Sequence, residues 1–239
     1  MKLWEVSGPA FEKHPKAVAI LPVGSIERHG NHLPLGTDTM VVMYLAERLR
    51  ERLDVLVLPP IWYGSCRGLK DFPGTFDIEP NVLYNYVLNV MVEAARNGIH
   101  MLVTLNGHGG NTEILGVAAR EAAFRTEMHV ILLNWWSDLG IQAQKELFEA
   151  PGHAGEDETS VMLAIAPDTV KMSRAMDHVV TYPSMKIYSK KVERLIYPDA
   201  LSGSATKASP EKGKSWLDAA LDDLVRIIRE AAKLLGINV

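Results

Sequence analysis

Short apolar runs alternate with longer helical patterns along most of this chain, and this alternation restricts the fold more than any other feature. We predict strands over residues 17–23, 55–60, 100–106 and 129–136. We predict helices over residues 40–53, 80–98, 112–126, 158–167 and 215–236. Strands that alternate with helices of this length favour a mainly parallel sheet with helices on both faces. The predicted class is therefore α/β.

The bulk properties narrow the class of function. The chain has 239 residues, of which 47% are hydrophobic, and no internal repeat or linker is visible, so we expect one domain over residues 1–239. A formal net charge of −4 without any basic run argues against a nucleic-acid partner. The single cysteine, Cys66, cannot form an internal disulfide, and we interpret it as a bystander in preference to a nucleophile.

The hydropathy pattern predicts neither a signal peptide nor a membrane-spanning segment. The N-terminal segment lacks the apolar core of a signal peptide, and no window approaches the ~18 apolar residues of a membrane span. We therefore expect a cytoplasmic protein with no membrane partner.

Chemically capable side chains follow the predicted strands. Glu27 and His29 come after the first strand, His108 follows the third, and Trp135 and Trp136 end the fourth. Ligands of parallel α/β sheets bind beyond the carboxyl ends of the strands. If the chain is extended at Glu27 and His29, their side chains also point to one face. We expect a site at this edge, where the two tryptophans either line a pocket or belong to the core.

Two more segments supply acids and a histidine. Asp38 lies at the start of a predicted helix, where the helix dipole favours a negative group, and "PGHAGEDETS" (151–160) holds His153, Glu156 and Glu158. Mixed N/O donors suit Zn²⁺, Mn²⁺ or Fe²⁺, and the lack of thiolate sets argues against a structural zinc finger. The competing phosphate-cradle interpretation of "GHGGN" lacks the Walker lysine and the G-x-G-x-x-G spacing. A metal site is therefore the favoured hypothesis.

Several longer motifs resemble the creatininase (creatinine amidohydrolase) family. They are "PVGSIERHGNHLPLGTD" (22–38), "YG…DFPGT" (63–75), "NGHGGN" (106–111), "HAGEDETS" (153–160) and "SGSATKASPEKGK" (202–214). The resemblance implies a three-layer α/β/α sandwich with a mainly parallel sheet. It also implies hydrolysis of amide C–N bonds at a two-metal centre holding Zn, Mn or Fe, and a homo-oligomer that is often hexameric.

The resemblance also implies roles for individual residues. Glu27, His29, Asp38 and His108 match metal-ligand positions, with Asp38 as the bridging carboxylate. His153 matches a histidine tied to catalysis, which we expect to donate a proton to the leaving nitrogen. Glu158 is expected to be a further ligand or to orient the attacking water. Glu156 falls at a variable position and is a weaker candidate, and His32 is not expected to be a ligand.

Two departures from the family pattern bear on the substrate. Gly110 stands where creatininase proper carries a glutamate that binds the second metal, and Glu158 is our first choice to replace it. Gly68 and Leu69 stand where relatives usually carry Glu–His, which makes creatinine itself doubtful as the substrate.

Three substrate classes and one non-enzymatic role remain open at this point. The expected partner is a small-molecule amide, either a cyclic amide or the formamide of a formylaminopyrimidine nucleotide. A peptide bond, as in mycofactocin maturation, is the third class, and a metal- or ligand-binding protein on the same scaffold is the non-enzymatic alternative. Arg28 is interpreted either as a ligand for a substrate phosphate or carboxylate or as a surface or subunit-contact residue.

Overall fold

The computed structural model describes residues 1–180, 184–185 and 187–239. The strands are β1 (Val18–Val23), β2 (Leu56–Val57), β3 (Met101–Asn106), β4 (His129–Asn134), β5 (Asp177–His178) and β6 (Gly203–Ser204). The helices are α1 (Gly8–Lys13), α2 (Thr37–Leu49), α3 (Pro80–Arg96), α4 (Thr112–Arg125), α5 (Trp135–Asp138), α6 (Ile141–Leu147), α7 (Glu156–Ile165), α8 (Lys190–Ile196) and α9 (Pro210–Leu235).

A parallel sheet of four strands in the order β2-β1-β3-β4 forms the centre of the fold. Its register places Val23, Asn106 and Asn134 in one row, so β1, β3 and β4 end level with one another. The loops that follow β1 and β3 therefore leave the same edge of the sheet, which is where the candidate ligands of the sequence lie.

Helices cover both faces of this sheet. Alternate residues of β1 point to opposite sides: Val18 and Ile20 belong to a core shared with α2, α7 and α9, whereas Ala19 and Leu21 belong to a second core shared with α3 and α4. Every residue of β1 and β3 is buried, as expected for parallel strands between two helical layers. The predicted α/β/α sandwich with a mainly parallel sheet is confirmed.

Several predicted element boundaries are wrong: α2 begins at Thr37 and not at residue 40, and β2 ends at Val57 and not at residue 60. The fourth strand ends at Asn134 and not at residue 136, because α5 starts there; its Asp138 carboxylate accepts the Asn134 backbone N–H at 2.7 Å. The last helix begins at Pro210, five residues before the predicted start, and the Ser209 hydroxyl accepts from the Lys212 N–H at its N-terminus.

The segment 174–214 is more regular than its sequence pattern indicated. The hairpin suggested for residues 182–191 falls partly on 182, 183 and 186, which lie outside the described residues. In the described part, α8 begins at Lys190, and β5 pairs antiparallel with β6. The β5–β6 ladder joins residues 177–178 to the start of the motif 202–214.

No helix within residues 1–180, 184–185 and 187–239 is both long enough and apolar enough to cross a bilayer.

Candidate metal centre

Six side chains converge beyond the carboxyl edge of the sheet, and we call them the acid–histidine cluster: Glu27, His29, Asp38, His108, His153 and Glu158. Possible ligand atoms of Glu27, His29 and His153 lie within 4.8 Å of one another, and so do those of His29, Asp38 and Glu158. The cluster therefore contains all five residues predicted as ligands together with the predicted catalytic histidine.

Asp38 lies between two histidines of the cluster. It sits in the first turn of α2 and is 2% exposed. Its Oδ1 is 2.9 Å from His29 Nε2, and its Oδ2 is 3.1 Å from His108 Nδ1. The Ser25 hydroxyl donates to Oδ2 at 2.6 Å. Asp38 thus offers one oxygen to each side, as a carboxylate bridging two cations must.

The three histidines share one arrangement of their ring nitrogens. One nitrogen of each ring lies beside a backbone carbonyl oxygen: His29 Nδ1 3.1 Å from Glu27, His108 Nε2 2.9 Å from Ser65, and His153 Nε2 2.9 Å from Arg28. The other nitrogen then faces the carboxylates. Histidines that bind metals usually donate their second ring N–H to such a partner, which fixes the tautomer and the ring orientation.

Glu27 supplies the sharpest sign that a cation belongs in the cluster. Its side chain is 1% exposed, and within the described part of the chain neither carboxylate oxygen has a hydrogen-bond partner. Oε1 lies 3.2 Å from His108 Nδ1 and 3.6 Å from His153 Nδ1, outside hydrogen-bonding geometry. Burying a carboxylate without hydrogen bonds is costly unless a charge compensates it. The residues present therefore fit a divalent metal.

Glu158 closes the cluster on the side of His29. Its Oε2 accepts the Ala154 backbone N–H at 2.7 Å and lies 3.6 Å from His29 Nε2. The "HAG" turn that precedes α7 thus holds the carboxylate in place. Glu158 stands on the His29 side of Asp38, and Glu27 stands on the His108 side.

The electrostatics of the cluster follow from burial and close charges. Burial alone would lower the pKa of His29, but Asp38 and Glu158 raise it to about 10. Burial opposes ionisation of Asp38, yet the neighbouring His29 and His108 hold its pKa far below the ordinary value. Burial raises the pKa of Glu158 to about 8. Since metal ligands must be deprotonated, a cation that enters the cluster would displace the protons held by His29 and Glu158.

Glu156 and His32 have structural contacts instead of facing the cluster. Glu156 Oε2 accepts the backbone N–H groups of Glu149 and Ala150 at 2.8 and 2.9 Å, and its other oxygen pairs with Lys212. The buried His32 ring bonds through Nε2 to the Thr159 hydroxyl at 2.8 Å.

Trp135 and Arg28 likewise make structural contacts, whereas Trp136 lies beside the loop that carries His108. Trp135 is 1% exposed and packs edge-on against Trp216 with ring centroids 4.9 Å apart, so it belongs to the core. Trp136 is half-buried beside Gly109. The Arg28 guanidinium is bonded within its own loop, to the Gly30 carbonyl oxygen and the Asn31 side chain.

Several residues that hold the cluster in place were missed by reasoning from the sequence. Asn111 accepts from the Ser65 N–H and donates to the Gly24 carbonyl, both at 2.9 Å, and so ties three loops together. Asn106 accepts from the His108 backbone N–H at 3.1 Å. The two asparagines that begin and end "NGHGGN" could have indicated this role, because buried polar side chains at a strand end need hydrogen-bond partners.

The comparisons with known proteins agree with this geometry. The family model described as "Creatininase: Creatinine amidohydrolase" matches residues 4–228. Creatinine amidohydrolase of Pseudomonas putida is 32% identical over 232 residues, covering 89% of each chain. The 3-dehydro-scyllo-inosose hydrolase of Thermotoga maritima is 30% identical, covering 88% of this chain and 76% of its own. The mycofactocin precursor peptide peptidase of Mycobacterium ulcerans is 33% identical, covering 88% and 84%.

Solved structures give the same fold with metals present. A structure named "Creatininase Mn" superposes with a TM-score of 0.84 at 30% identity, covering 96% of this chain and 98% of that chain. A mutant creatininase described as Zn-Zn type has a TM-score of 0.83 at 30% identity, with coverage of 96% and 97%.

Proposed function

This chain belongs to the creatininase family, and on that premise we propose that it is a metal-dependent amidohydrolase acting on a non-peptide C–N bond. The substrate would be an amide, a cyclic amide or a formamide. The observation that carries this proposal is the position of Asp38, which offers a separate oxygen to His29 and to His108.

We propose that the cluster holds two divalent ions, Zn, Mn or Fe. His29, Asp38 and Glu158 would hold one ion, and Glu27, Asp38 and His108 the other. When bound, the ions supply Lewis acidity, which acidifies water and polarises the scissile carbonyl. Glu158 would take the place of the acid that creatininase proper carries at position 110.

His153 is proposed to move the proton. Its Nε2 lies 2.9 Å from the Arg28 carbonyl oxygen, which fixes the proton on that nitrogen and turns Nδ1 towards Glu27. Burial and the charge of His29 lower the pKa of His153 to about 4, so the ring is neutral at neutral pH. Nδ1 would take a proton from the attacking water and pass it to the leaving nitrogen. Backbone N–H groups near Gly109 or Gly110 would stabilise the developing negative oxygen.

A second candidate function is the deformylation of a formylaminopyrimidine nucleotide, an activity named among the relatives. A cleft of about 500 Å³ runs past Tyr197, whose ring meets His153 edge-on at 5.6 Å. Lys70 and Lys190 line this cleft with Asp71, whose pKa is lowered by its hydrogen bond to Arg194 and further by the two lysine charges. Aromatic walls and lysine ammonium groups suit a ring that carries a phosphate.

The cleft also accounts for a departure from the family pattern. A β-carbon on Gly68 would lie 2.7 Å from Glu193 Oε2, so the α8 carboxylate fills the space beside that glycine. The acid expected at position 68 is thus replaced, in position, by an acid from another element. We propose that this exchange alters the substrate and not the metal centre.

Metal quantification followed by a substrate screen tests the proposed function. We expect close to two equivalents of Zn, Mn or Fe, and turnover of small amides or formamides that is lost with chelator and restored by metal. Cleavage of peptides alone would instead support the peptidase alternative. A metal-loaded protein that hydrolyses nothing in the screen would support the non-enzymatic binding role.

We also propose a domain organisation, an oligomeric state and a cellular location for the protein. Residues 1–239 would form one amidohydrolase domain, in keeping with two cores that share one sheet. The chain would assemble as a homo-oligomer, with a hexamer expected from the family, which sedimentation velocity tests. A cytoplasmic location would be tested by fractionating cells of the source organism.

A further inference from the structure

Cys66 lies next to Glu27 and His108, in one half of the acid–histidine cluster. The thiol is 2% exposed and free of any disulfide. Its sulfur and ligand atoms of Glu27 and His108 all lie within 4.8 Å of one another. Bound ligand atoms at Zn–S and Zn–N distances of roughly 2.0–2.3 Å must lie this close together.

The loop that carries Cys66 is fastened on both sides of the thiol. The Ser65 N–H donates to Asn111 Oδ1 at 2.9 Å, and the Cys66 N–H donates to Asp77 Oδ1 at 2.9 Å. Such a fixed loop presents the sulfur in one position. The Ser65 carbonyl at its start also holds the His108 ring at 2.9 Å, so sulfur and imidazole are positioned by the same short segment.

A second and independent observation points to a ligand at this place. Glu27 is 1% exposed, both of its carboxylate oxygens lack a hydrogen-bond partner within the described residues, and Oε1 faces His108. Burying an ionised carboxylate without hydrogen bonds is costly unless a positive charge compensates it, and a bound cation would do so. The cation would have Glu27, His108 and one oxygen of Asp38 around it, which is one donor short of four-coordination.

We infer that the Cys66 thiolate is the fourth ligand of the ion held by Glu27, Asp38 and His108. This inference rests on the proposed metal centre and extends it to a residue outside the expected ligand set. When the ion enters, a sulfur–metal bond forms and the thiol proton leaves to solvent, so no oxidant or reductant is required. A soft sulfur donor makes this position select Zn²⁺ over Mn²⁺, which carboxylate and imidazole donors alone do not do as strongly.

Cobalt substitution tests the ligand directly, without reference to activity. The purified protein is stripped with chelator, loaded with Co²⁺ and examined by absorption spectroscopy. We expect a thiolate-to-cobalt charge-transfer band in the near ultraviolet. Because Cys66 is the only cysteine of the chain, the band has one possible source. Cys66→Ser should bind the same number of Co²⁺ ions without this band.

The outcomes separate this inference from the proposed function. A wild-type protein that binds two Co²⁺ ions without the band would overturn the role of Cys66 and leave the metal centre intact. A protein that binds no Co²⁺ would overturn both. The wild-type spectrum decides the matter even if Cys66→Ser does not fold. Where that variant folds, its affinity for Zn²⁺ should fall by at least the roughly 10–100-fold that losing an outer-shell partner typically costs, and its affinity for Mn²⁺ should fall less.

Discussion

A β-carbon placed on Gly110 would lie 2.1 Å from the carbonyl oxygen of Ser65. Real β-carbons do not approach a carbonyl oxygen so closely, so position 110 is closed to every side chain while the Ser65 loop keeps its place. The glutamate that creatininase proper carries at this position is therefore not merely exchanged for glycine. The Ser65 carbonyl oxygen occupies the space that a side chain at position 110 would need, so position 110 cannot supply a donor to the centre.

This closure predicts that restoring the family residue damages the protein. Gly110→Ala and Gly110→Glu should each lower the free energy of unfolding by about 1–3 kcal/mol or more, the usual cost of overpacking. Gly109→Ala is the matched control, because a β-carbon there would meet only Trp136, at 3.9 Å. Urea denaturation of the chelated proteins measures the difference. Equal stabilities for the two alanine variants would show that the loop yields easily.

Substitutions of Glu156 and Glu158, the two glutamates of "GEDETS", are predicted to have different effects. Glu158→Gln should fold normally, because the amide oxygen can still accept the Ala154 N–H, and should lose the ion held with His29, because the negative charge facing that histidine is gone. Glu156→Ala should keep its metal content but lose stability, by about 1–3 kcal/mol for the orphaned N–H groups of Glu149 and Ala150 alone. Metal analysis and thermal denaturation of both variants provide the check. Normal metal content in Glu158→Gln would remove it from the ligand set.

We predict that protonation of His32 in the unfolded chain lowers the free energy of unfolding in mild acid. Burial and the charge of His29 lower the pKa of His32 from 6.5 to about 4. Between these values the unfolded chain binds a proton that the folded chain does not, so stability declines as pH decreases through this window. His32→Gln should reduce that slope by the contribution of up to about one proton. Urea titrations in chelator at several pH values measure it, and identical slopes would contradict the assignment.

The cleft beside Tyr197 predicts a phosphate preference. Lys70→Ala and Lys190→Ala should each raise the KM of a phosphorylated formamide by about tenfold, the loss of one charge-assisted hydrogen bond, while leaving kcat almost unchanged. The unphosphorylated analogue should not respond to either substitution. Lys233→Ala, on α9 away from the cleft, is the control. If both formamides respond equally, the lysines do not recognise phosphate and the deformylase candidate loses its support.

Much of the fold was predictable because its core elements carry strong periodic patterns. The strand 17–23 and the helix 112–126 were placed within a residue or two, since buried parallel strands are short apolar runs and helices show one apolar face. The end of β4 was not predictable, because two tryptophans continue its apolar pattern. The Asp138 carboxylate that accepts the Asn134 N–H lies four residues further on, in a helical turn that the apolar pattern hides.

The candidate site was predictable in its membership but not in its contacts. The motifs brought together Glu27, Asp38 and His108 through strand ends that share one edge of the sheet. That Glu156 is structural and Glu158 faces His29 depends on which oxygen meets which backbone N–H group. Cys66 was taken for a bystander, because its closeness to Glu27 follows from a loop with no periodic signal.

If Asp38 joins two metal ions, its removal should empty both positions, and the metal content of the purified protein measures this. Wild type and Asp38→Ala are purified from metal-supplemented cultures and analysed by inductively coupled plasma mass spectrometry, with Glu156→Gln as a control variant of similar burial. The account predicts about two ions per chain in wild type and in the control, and near-complete loss of both ions in Asp38→Ala. Unchanged metal content in Asp38→Ala, or a wild type free of Zn, Mn and Fe, would contradict it.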